Sequence, residues 1–364
     1  MKQDYVVVGA GIAGLTVAER IANELGKQVL VIEKRSHIGG NVYDCYNEDG
    51  ILIHQYGPHI FHTNDKEVYD YLGQFTKWRD FWHRVLTCVD GNMIPMPITL
   101  ETINQLYHTS FTPEQMEQFL AEKAVLIPEI TTSKDVALSK VGEEIYAKFF
   151  ENYTKKQWGL DPALIDTSVI SRIPVRYNRD TRYFTDRYQG MPLHGYTKMC
   201  EAMIQNPNIK LLLNTDYKEV ISELEYEKLI YTGPTDYFYD YEFGKMGYRS
   251  LDFVFETYDE EEYQPAPVVN YPNDYDFTRI TEFKKLTGQK HEKTTILKEF
   301  PKAEGEPYYP FPTREYREQF AKYEEKMKQE KKVIFLGRLA EYRYYNMDAV
   351  VRRALDVAKQ LKEQ

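Results

Sequence analysis

The chain opens on an apolar run. Residues 4–8, DYVVV, are short, β-branched and bounded by glycine, the pattern of a strand buried on both faces of a parallel sheet. LTVAERIANEL follows with its apolar positions at helical spacing, and QVLVIE (28–33) repeats the buried-strand pattern. Farther on, KLLLNTDYKEV (210–220) predicts a strand and its exit, LIYTGPTDYFYDY (229–241) a strand ending in a Gly-Pro turn, and VIFL a strand just before Gly337. GMPLHGYTKMCEAMI (190–204) predicts a turn and a helix. Between 99 and 150 the period changes to that of helices, in TINQLYH, TPEQMEQFLAEKAV and SKVGEEIYAKFFENY. Thr112 is placed to cap the second, with Pro113 at its first helical position. RSLDFVFETYD and EKTTILKEF, within 250–300, alternate polar and apolar and predict an antiparallel sheet. The charged run at 323–332 predicts a solvated helix face, and DAVVRRALDVAKQL a final amphipathic helix. No internal repeat or long linker interrupts this order.

Between the first strand and first helix stand Gly9, Gly11 and Gly14, spaced G-x-G-x-x-G with Ile12 and Ala13 among them. In that setting the first glycine permits a tight turn, the second a close approach to a pyrophosphate, and the third the packing of helix on strand. The helix N-terminus then faces phosphate. Glu33 ends the second strand 19 residues after Gly14, where an acid holds the adenosine ribose hydroxyls and argues against a 2′-phosphate. An adenine dinucleotide is therefore expected. After Glu33 and Lys34 the chain runs KRSHIGGNVYD, with Gly39, Gly40 and Asn41, instead of proceeding promptly to a third crossover. E-K-R-x-x-x-G-G-N resembles FAD enzymes, in which the segment after the acid follows the flavin. No second glycine motif provides an NAD domain, and no C-x-x-x-x-C marks a disulfide flavoprotein. In that class a C-terminal turn closes over the isoalloxazine and pyrophosphate, here Gly337, Arg338 and the 345–348 turn of Tyr345, Asn346, Met347 and Asp348. The expected fold is α/β. A discontinuous FAD-binding Rossmann-like domain (1–90, 190–240 and 330–364) carries an inserted helical domain (97–165). An antiparallel β-sheet substrate domain takes 166–189 and 241–329.

The formal net charge of −10 excludes a broad basic face for nucleic acid, so an anionic ligand must meet a few local arginines. Three cysteines without a CxxC pair fit a reduced, cytoplasmic setting. No signal peptide of the usual kind and no membrane span is read. The 31 tyrosines include the clusters YFYDY and YRYY. Such rings suit sugars and nucleobases, but they equally suit a tyrosine-rich sheet surface.

EKRSHIGGN, YGPHIFHTND, YTKKQWG, SRIPVRY, YFTDRYQGMPLHGYTK, IYTGPTDYFYDY, FTRITEF, EPYYP and GRLAEYRYYNMD together resemble the bacterial-type UDP-galactopyranose mutase family, along essentially the whole chain. That resemblance implies interconversion of UDP-galactopyranose and UDP-galactofuranose without net redox change, supplying galactofuranose for cell-surface glycans. It implies FAD active as FADH−, with N5 attacking the anomeric carbon as UDP leaves. A flavin–sugar adduct then opens and recloses on the other ring oxygen. An external reductant such as NAD(P)H is implied, and a homodimer is left open. Neither metal-ligand spacing nor a Ser-His-Asp set is present, and no metal is expected.

The resemblance makes Arg172 and Arg279 the diphosphate ligands, a role guanidinium suits because it offers paired planar donors. It places Trp158 on a mobile loop hinged at Gly159, and Phe149, Phe150, Tyr153 and Thr154 on the uracil side. Tyr183, Tyr309 and Tyr344 fall at the diphosphate, and Asn270 near the sugar nucleotide. His59 and Ile60 fall beside the flavin ring, where His59 would donate near N5 or O4. His62 is a weaker candidate there, and His83 a candidate substrate contact. Asp216 and Tyr217 join the cofactor set. Asn346 replaces an aspartate common in the family, which removes a charge and keeps the hydrogen-bonding shape. Two other readings share the glycine motif: a flavin amine oxidase, which would oxidise its substrate, and a binding protein like the Rab GDP-dissociation inhibitors.

Overall fold

The computed structural model describes residues 2–363. Five parallel strands form the first sheet, in the order Ile209–Leu212, Val29–Ile32, Tyr5–Val8, Lys228–Tyr231, Val333–Phe335. Segments from the beginning, middle and end of the chain thus share one sheet, as the split apolar pattern predicts. The alternate residues Tyr5, Val7, Val29, Val31 and Ile230 pack with the helices Ile12–Arg20 and Met347–Lys362. The other set, Val6, Val8, Leu30, Ile32, Leu229 and Tyr231, packs against Tyr217, Tyr239, Tyr323 and Tyr342. Burial on both faces explains why these strands lack polar alternation. It also makes many of the tyrosines core residues. The final helix buries Val350, Val351, Ala354, Val357, Ala358 and Leu361, one stripe at helical spacing.

The predicted helices lie at Leu100–Tyr107, Pro113–Lys123 and Ser133–Ile145, then continue through a π-helical turn, Tyr146–Glu151, into Asn152–Trp158. Thr99, Thr112 and Thr132 each close a capping box, and Pro113 is at the first turn. Gly142 breaks helical geometry at φ +74, where a Cβ would lie 2.3 Å from the Lys123 carbonyl oxygen. Only glycine lets the two helices approach there.

The second large sheet has seven strands, ordered Tyr309–Pro310, Tyr248–Tyr258, Thr294–Lys302, Arg279–Glu282, Val268–Asn270, Val85–Val89, Asn92–Met96. It is antiparallel except where Val268–Asn270 runs parallel to Val85–Val89. Residues 85–89, grouped by sequence with the nucleotide-binding segment, therefore hydrogen-bond in the other sheet. Three further details differ from the sequence pattern. Tyr188–Pro192 is a strand paired with Phe61–Thr63 and Trp78–Asp80, although its glycine and proline suggest a turn. Thr235–Phe238 forms a short helix after the Gly-Pro turn. The helix Arg314–Met327 is charged and largely solvent-facing, but Tyr323 within the charged run is fully buried. No helix among the described residues is long and apolar enough to cross a membrane.

Candidate active site

A cavity of about 880 Å³ opens at the carboxyl ends of the parallel strands. Gly9, Gly11, Ile12 and Ala13 line it, with Glu33, Lys34, Gly40, Asn41, His59, Asp216, Tyr217, Gly337, Arg338 and Met347. Gly9 has φ +102, and a Cβ there would lie 2.1 Å from Thr232 Oγ1. A Cβ on Gly40 would lie 2.8 Å from the Gly11 Cα. Side chains are thus excluded from the cradle where a pyrophosphate needs bare backbone. Gly14 is off the wall: a Cβ would meet the Gly9 carbonyl oxygen at 2.0 Å and Val7 at 3.0 Å, so it seats the helix on the strand. Glu33 accepts from the Ala10 amide at 2.8 Å and the Arg35 amide at 2.9 Å, which fixes its carboxylate beside the cavity. A glycine cradle at a helix N-terminus, with a fixed acid at the end of the second strand, fits FAD.

Four residues expected at the cofactor stand back from this wall. Ile60 and Tyr345 pack against the first core, and the Tyr345 carbonyl accepts from Arg338 at 2.6 Å. Asn346 is the exposed N-cap residue of the last helix and caps it with no side-chain hydrogen bond. Asp348 accepts from the Ala349 amide. Sequence reasoning missed Thr232, whose hydroxyl donates to the Val8 carbonyl at 2.7 Å, and the 303–307 segment on the opposite wall.

His59 lines this cavity and is also close enough to feel the charges of Arg338 and Arg279, which belong to a second cluster, the candidate substrate cleft. Its ring Nδ1 lies 2.9 Å from the Gly57 carbonyl oxygen, so Nδ1 carries the proton and Nε2 is left as an acceptor. Burial, with His54, Arg338 and Arg279 nearby, lowers its pKa to about 3. A neutral ring protonated at Nδ1 leaves Nε2 free to accept a hydrogen bond, where the resemblance implied a donor. His62 is held by Asp186 at 2.7 Å and stacks on Phe184 at 3.6 Å. His83 is 4% exposed, with an unpartnered Nδ1, and burial lowers it to about 3.

The second cleft is built across strands. Asn270 is register partner to Arg279, and Arg279 to Glu299, so the three side chains share one row and one face of the sheet. Arg279 donates from Nε and Nη2 to the two oxygens of Glu299, at 2.7 and 2.8 Å. Glu299 is fully buried. Burial opposes the charge on Arg279, but Glu299 outweighs it and raises the guanidinium pKa. Arg172 follows the short helix Ser168–Ser171 and lies over the Tyr344 ring at 4.3 Å. Tyr344 stacks on Tyr309 at 5.5 Å, and Arg338 approaches both rings. Trp158 meets Tyr309 and Tyr344, each at 6.4 Å. Tyr183 sits edge-on to His83 at 5.7 Å. Although Tyr344 is 42% exposed, Arg172 and Arg338 hold its hydroxyl below its ordinary value. Arg279 also acts electrostatically on Tyr153, Tyr183, Tyr309 and Tyr344. The arrangement concentrates positive charge among rings, a setting for a diphosphate.

Two expected features look different in place. Trp158 ends a helix and is 3% exposed, with Gly159 as the left-handed cap behind it. Phe149 and Phe150 are buried in the helical core, so Tyr153 presents the more open ring on that side. Glu299 was missed; the signal was a carboxylate on the inward phase of an alternating strand. No group of His, Cys, Asp and Glu suited to a metal occurs among the described residues.

The parallel sheet, glycine cradle and fixed acid define a dinucleotide-binding fold of the flavoprotein class. A sequence profile for an NAD(P)-binding Rossmann-like domain matches residues 7–75, and that of UDP-galactopyranose mutase matches 148–344. A probable UDP-galactopyranose mutase of Klebsiella pneumoniae is 39% identical over 363 residues, covering 98% of this chain and 94% of that one. A dTDP-fucopyranose mutase of Escherichia coli is 37% identical, covering 97% of each. A crystal structure of reduced UDP-galactopyranose mutase shares the fold with a TM-score of 0.81 at 17% identity, covering 99% of this chain and 96% of the other. The chain belongs to the UDP-galactopyranose mutase family, a family of FAD-dependent isomerases.

Proposed function

We propose that this protein interconverts UDP-galactopyranose and UDP-galactofuranose in the cytoplasm, with FAD in its reduced form. The observation that carries the reading is the pairing of two arginine sites on one cleft: Arg279 in the Asn270–Glu299 row, and Arg172 on the Tyr344–Tyr309 stack. When bound and reduced, FAD supplies a nucleophilic N5 to the anomeric carbon. The chain's own residues do the remaining work. Arg172 and Arg279 hold the diphosphate and stabilise the charge that develops as UDP departs. Tyr183, Tyr309 and Tyr344 orient it. Tyr153, with Trp158 and Thr154 on the same helix, borders the nucleoside. Asn270 is placed for a sugar hydroxyl, and His59 accepts a hydrogen bond beside the ring. An external reductant such as NAD(P)H reduces the flavin, and the product supplies cell-surface glycans.

The E. coli relative gives a second reading, because a chain 37% identical along its length is named for a dTDP-sugar. The same arginines would hold either diphosphate. One experiment separates the readings: UDP-galactofuranose and dTDP-fucofuranose are supplied to enzyme with and without dithionite, and the ring forms are counted. Reduction-dependent conversion of the UDP-sugar at the higher kcat/KM is expected. Preference for the dTDP-sugar selects the second reading, and consumption of oxygen by oxidised enzyme overturns both.

A further inference from the structure

Lys156 has no part in the chemistry above, yet its surroundings are built with care. It lies on the helix Asn152–Trp158, between Thr154 and Trp158. Its ammonium donates to three backbone carbonyls, those of Tyr271, Tyr275 (2.7 Å) and Phe277 (3.1 Å). All three belong to the turn joining the strand that ends at Asn270 to the strand that begins at Arg279. An ammonium has three N–H donors, and here each has an acceptor. The side chain therefore acts as a tethered cation inside a carbonyl cage.

We infer that Lys156 is a positioning residue that locks the two walls of the substrate cleft together. One wall is the helix carrying Tyr153, Thr154 and Trp158; the other is the row holding Asn270 and Arg279. The inference rests on the mutase reading only for the reaction assayed. Two neighbouring contacts agree with it. Asn273, in the same turn, accepts from Asn152 at 2.9 Å and donates to the Lys148 carbonyl at 3.0 Å. Behind the helix, Arg249 donates to the Gln157 and Lys156 carbonyls at 2.9 and 3.1 Å, filling its C-terminal acceptors. The turn is thus tied to the helix by the Lys156 side chain at one place and by Asn273 at another. Burial lowers Lys156 to about 8, against the pull of Asp274 and Asp276 in the turn. Without the ammonium, three carbonyls lose their donor and the 271–277 turn loses its tie to the helix that carries Trp158.

The test compares Lys156→Met, Lys156→Gln and Lys156→Ala with wild type and with Lys155→Met, whose lysine pairs only with Glu151 and Asp161 beyond the helix face. FAD content and melting temperature establish that each variant is folded. Calorimetry gives the Kd for UDP, and steady-state assays of the reduced enzyme separate KM from kcat. Loosened positioning predicts a rise of roughly tenfold or more in Kd and KM for Lys156→Met, with Lys155→Met unchanged. Lys156→Gln, which keeps two donors, falls between. Ammonium or methylamine added to Lys156→Ala restores UDP affinity, an effect that sodium does not reproduce. If folded Lys156→Met and Lys156→Gln bind UDP within twofold of wild type, the inference is overturned. If wild type binds UDP but isomerises nothing, the mutase reading fails while the comparison of UDP affinities still decides Lys156.

Discussion

The two halves of the site are made of different materials. The cofactor cavity is shaped by backbone: glycines whose side chains would collide with Thr232, Gly9 or Gly11, and a carboxylate fixed by two main-chain amides. The proposed substrate cleft is shaped by side chains. Arg279 leans on Glu299, Arg172 on Tyr344, and Lys156 on carbonyls from another element. A backbone cradle recognises what every dinucleotide has in common. A side-chain cleft is adjustable, which suits a family whose members carry names for both UDP- and dTDP-sugars.

The sharpest way to break the contrast is to remove an arginine. Arg279→Ala is expected to lower kcat/KM by roughly 10²–10³ with FAD still bound, because one charge-stabilising donor set is lost. Glu299→Gln should lower it less and leave the same FAD content, since the guanidinium remains but loses its charged brace. Loss of FAD in either variant would mean that the two halves are not separable.

The reverse experiment uses Gly9→Ala. With φ +102 and a Cβ placed 2.1 Å from Thr232, the variant carries a backbone cost of about 1–3 kcal/mol and a collision in addition. It should weaken FAD retention while leaving UDP binding near wild type. Gly26→Ala is the control: its φ is +63 but nothing lies within 4 Å of a Cβ, so a backbone cost of about 1–2 kcal/mol without a collision is expected and FAD should be retained. Equal FAD loss in both would show that the cradle has no special claim.

A further effect, on acid stability, is one that both halves share. His54 and His83 are 1% and 4% exposed, and burial lowers them to about 4 and about 3, below the ordinary value of about 6.5. Below that value the unfolded chain binds protons that the folded chain refuses. Stability is therefore intact above about pH 6.5 and falls as pH drops, by about 1.4 kcal/mol per pH unit for each histidine. Urea unfolding at pH 7, 6 and 5 measures the slope, and His83→Gln should reduce it by one proton's worth. An unchanged slope would show that His83 is protonated in the folded protein.

Much of the fold could be read because its signals are local. Buried strands, three threonine caps and the glycine turn each occupy a few consecutive residues, and a local rule suffices for them. Arg172, Arg279 and the tyrosines came instead from a resemblance; their convergence depends on strand register, which no short window contains. Glu299 showed only as a carboxylate on the inward phase of a strand; that it braces Arg279 depends on their cross-strand register. Lys156 reads as an ordinary surface lysine until the turn at 271–277 folds over it. The 188–192 strand was hidden by its glycine and proline, which turn rules favour, although it is paired on both sides by Phe61–Thr63 and Trp78–Asp80. Tyrosine was the ambiguous signal: Tyr309 and Tyr344 stack in the cleft, whereas Tyr231 and Tyr323 are core.

The parallel sheet has one more consequence, in the order of synthesis. Its first two strands emerge from the ribosome early, but the edge strand Val333–Phe335 and the covering helix Met347–Lys362 emerge last. Gly337, Arg338 and Met347 complete the cavity wall, so a nascent chain that already displays the glycine turn has no enclosed place for a dinucleotide. Capture of the cofactor is therefore expected only after the edge strand and the covering helix have been made, and chains interrupted before residue 333 are expected to remain apo and expose the apolar strands of the first sheet.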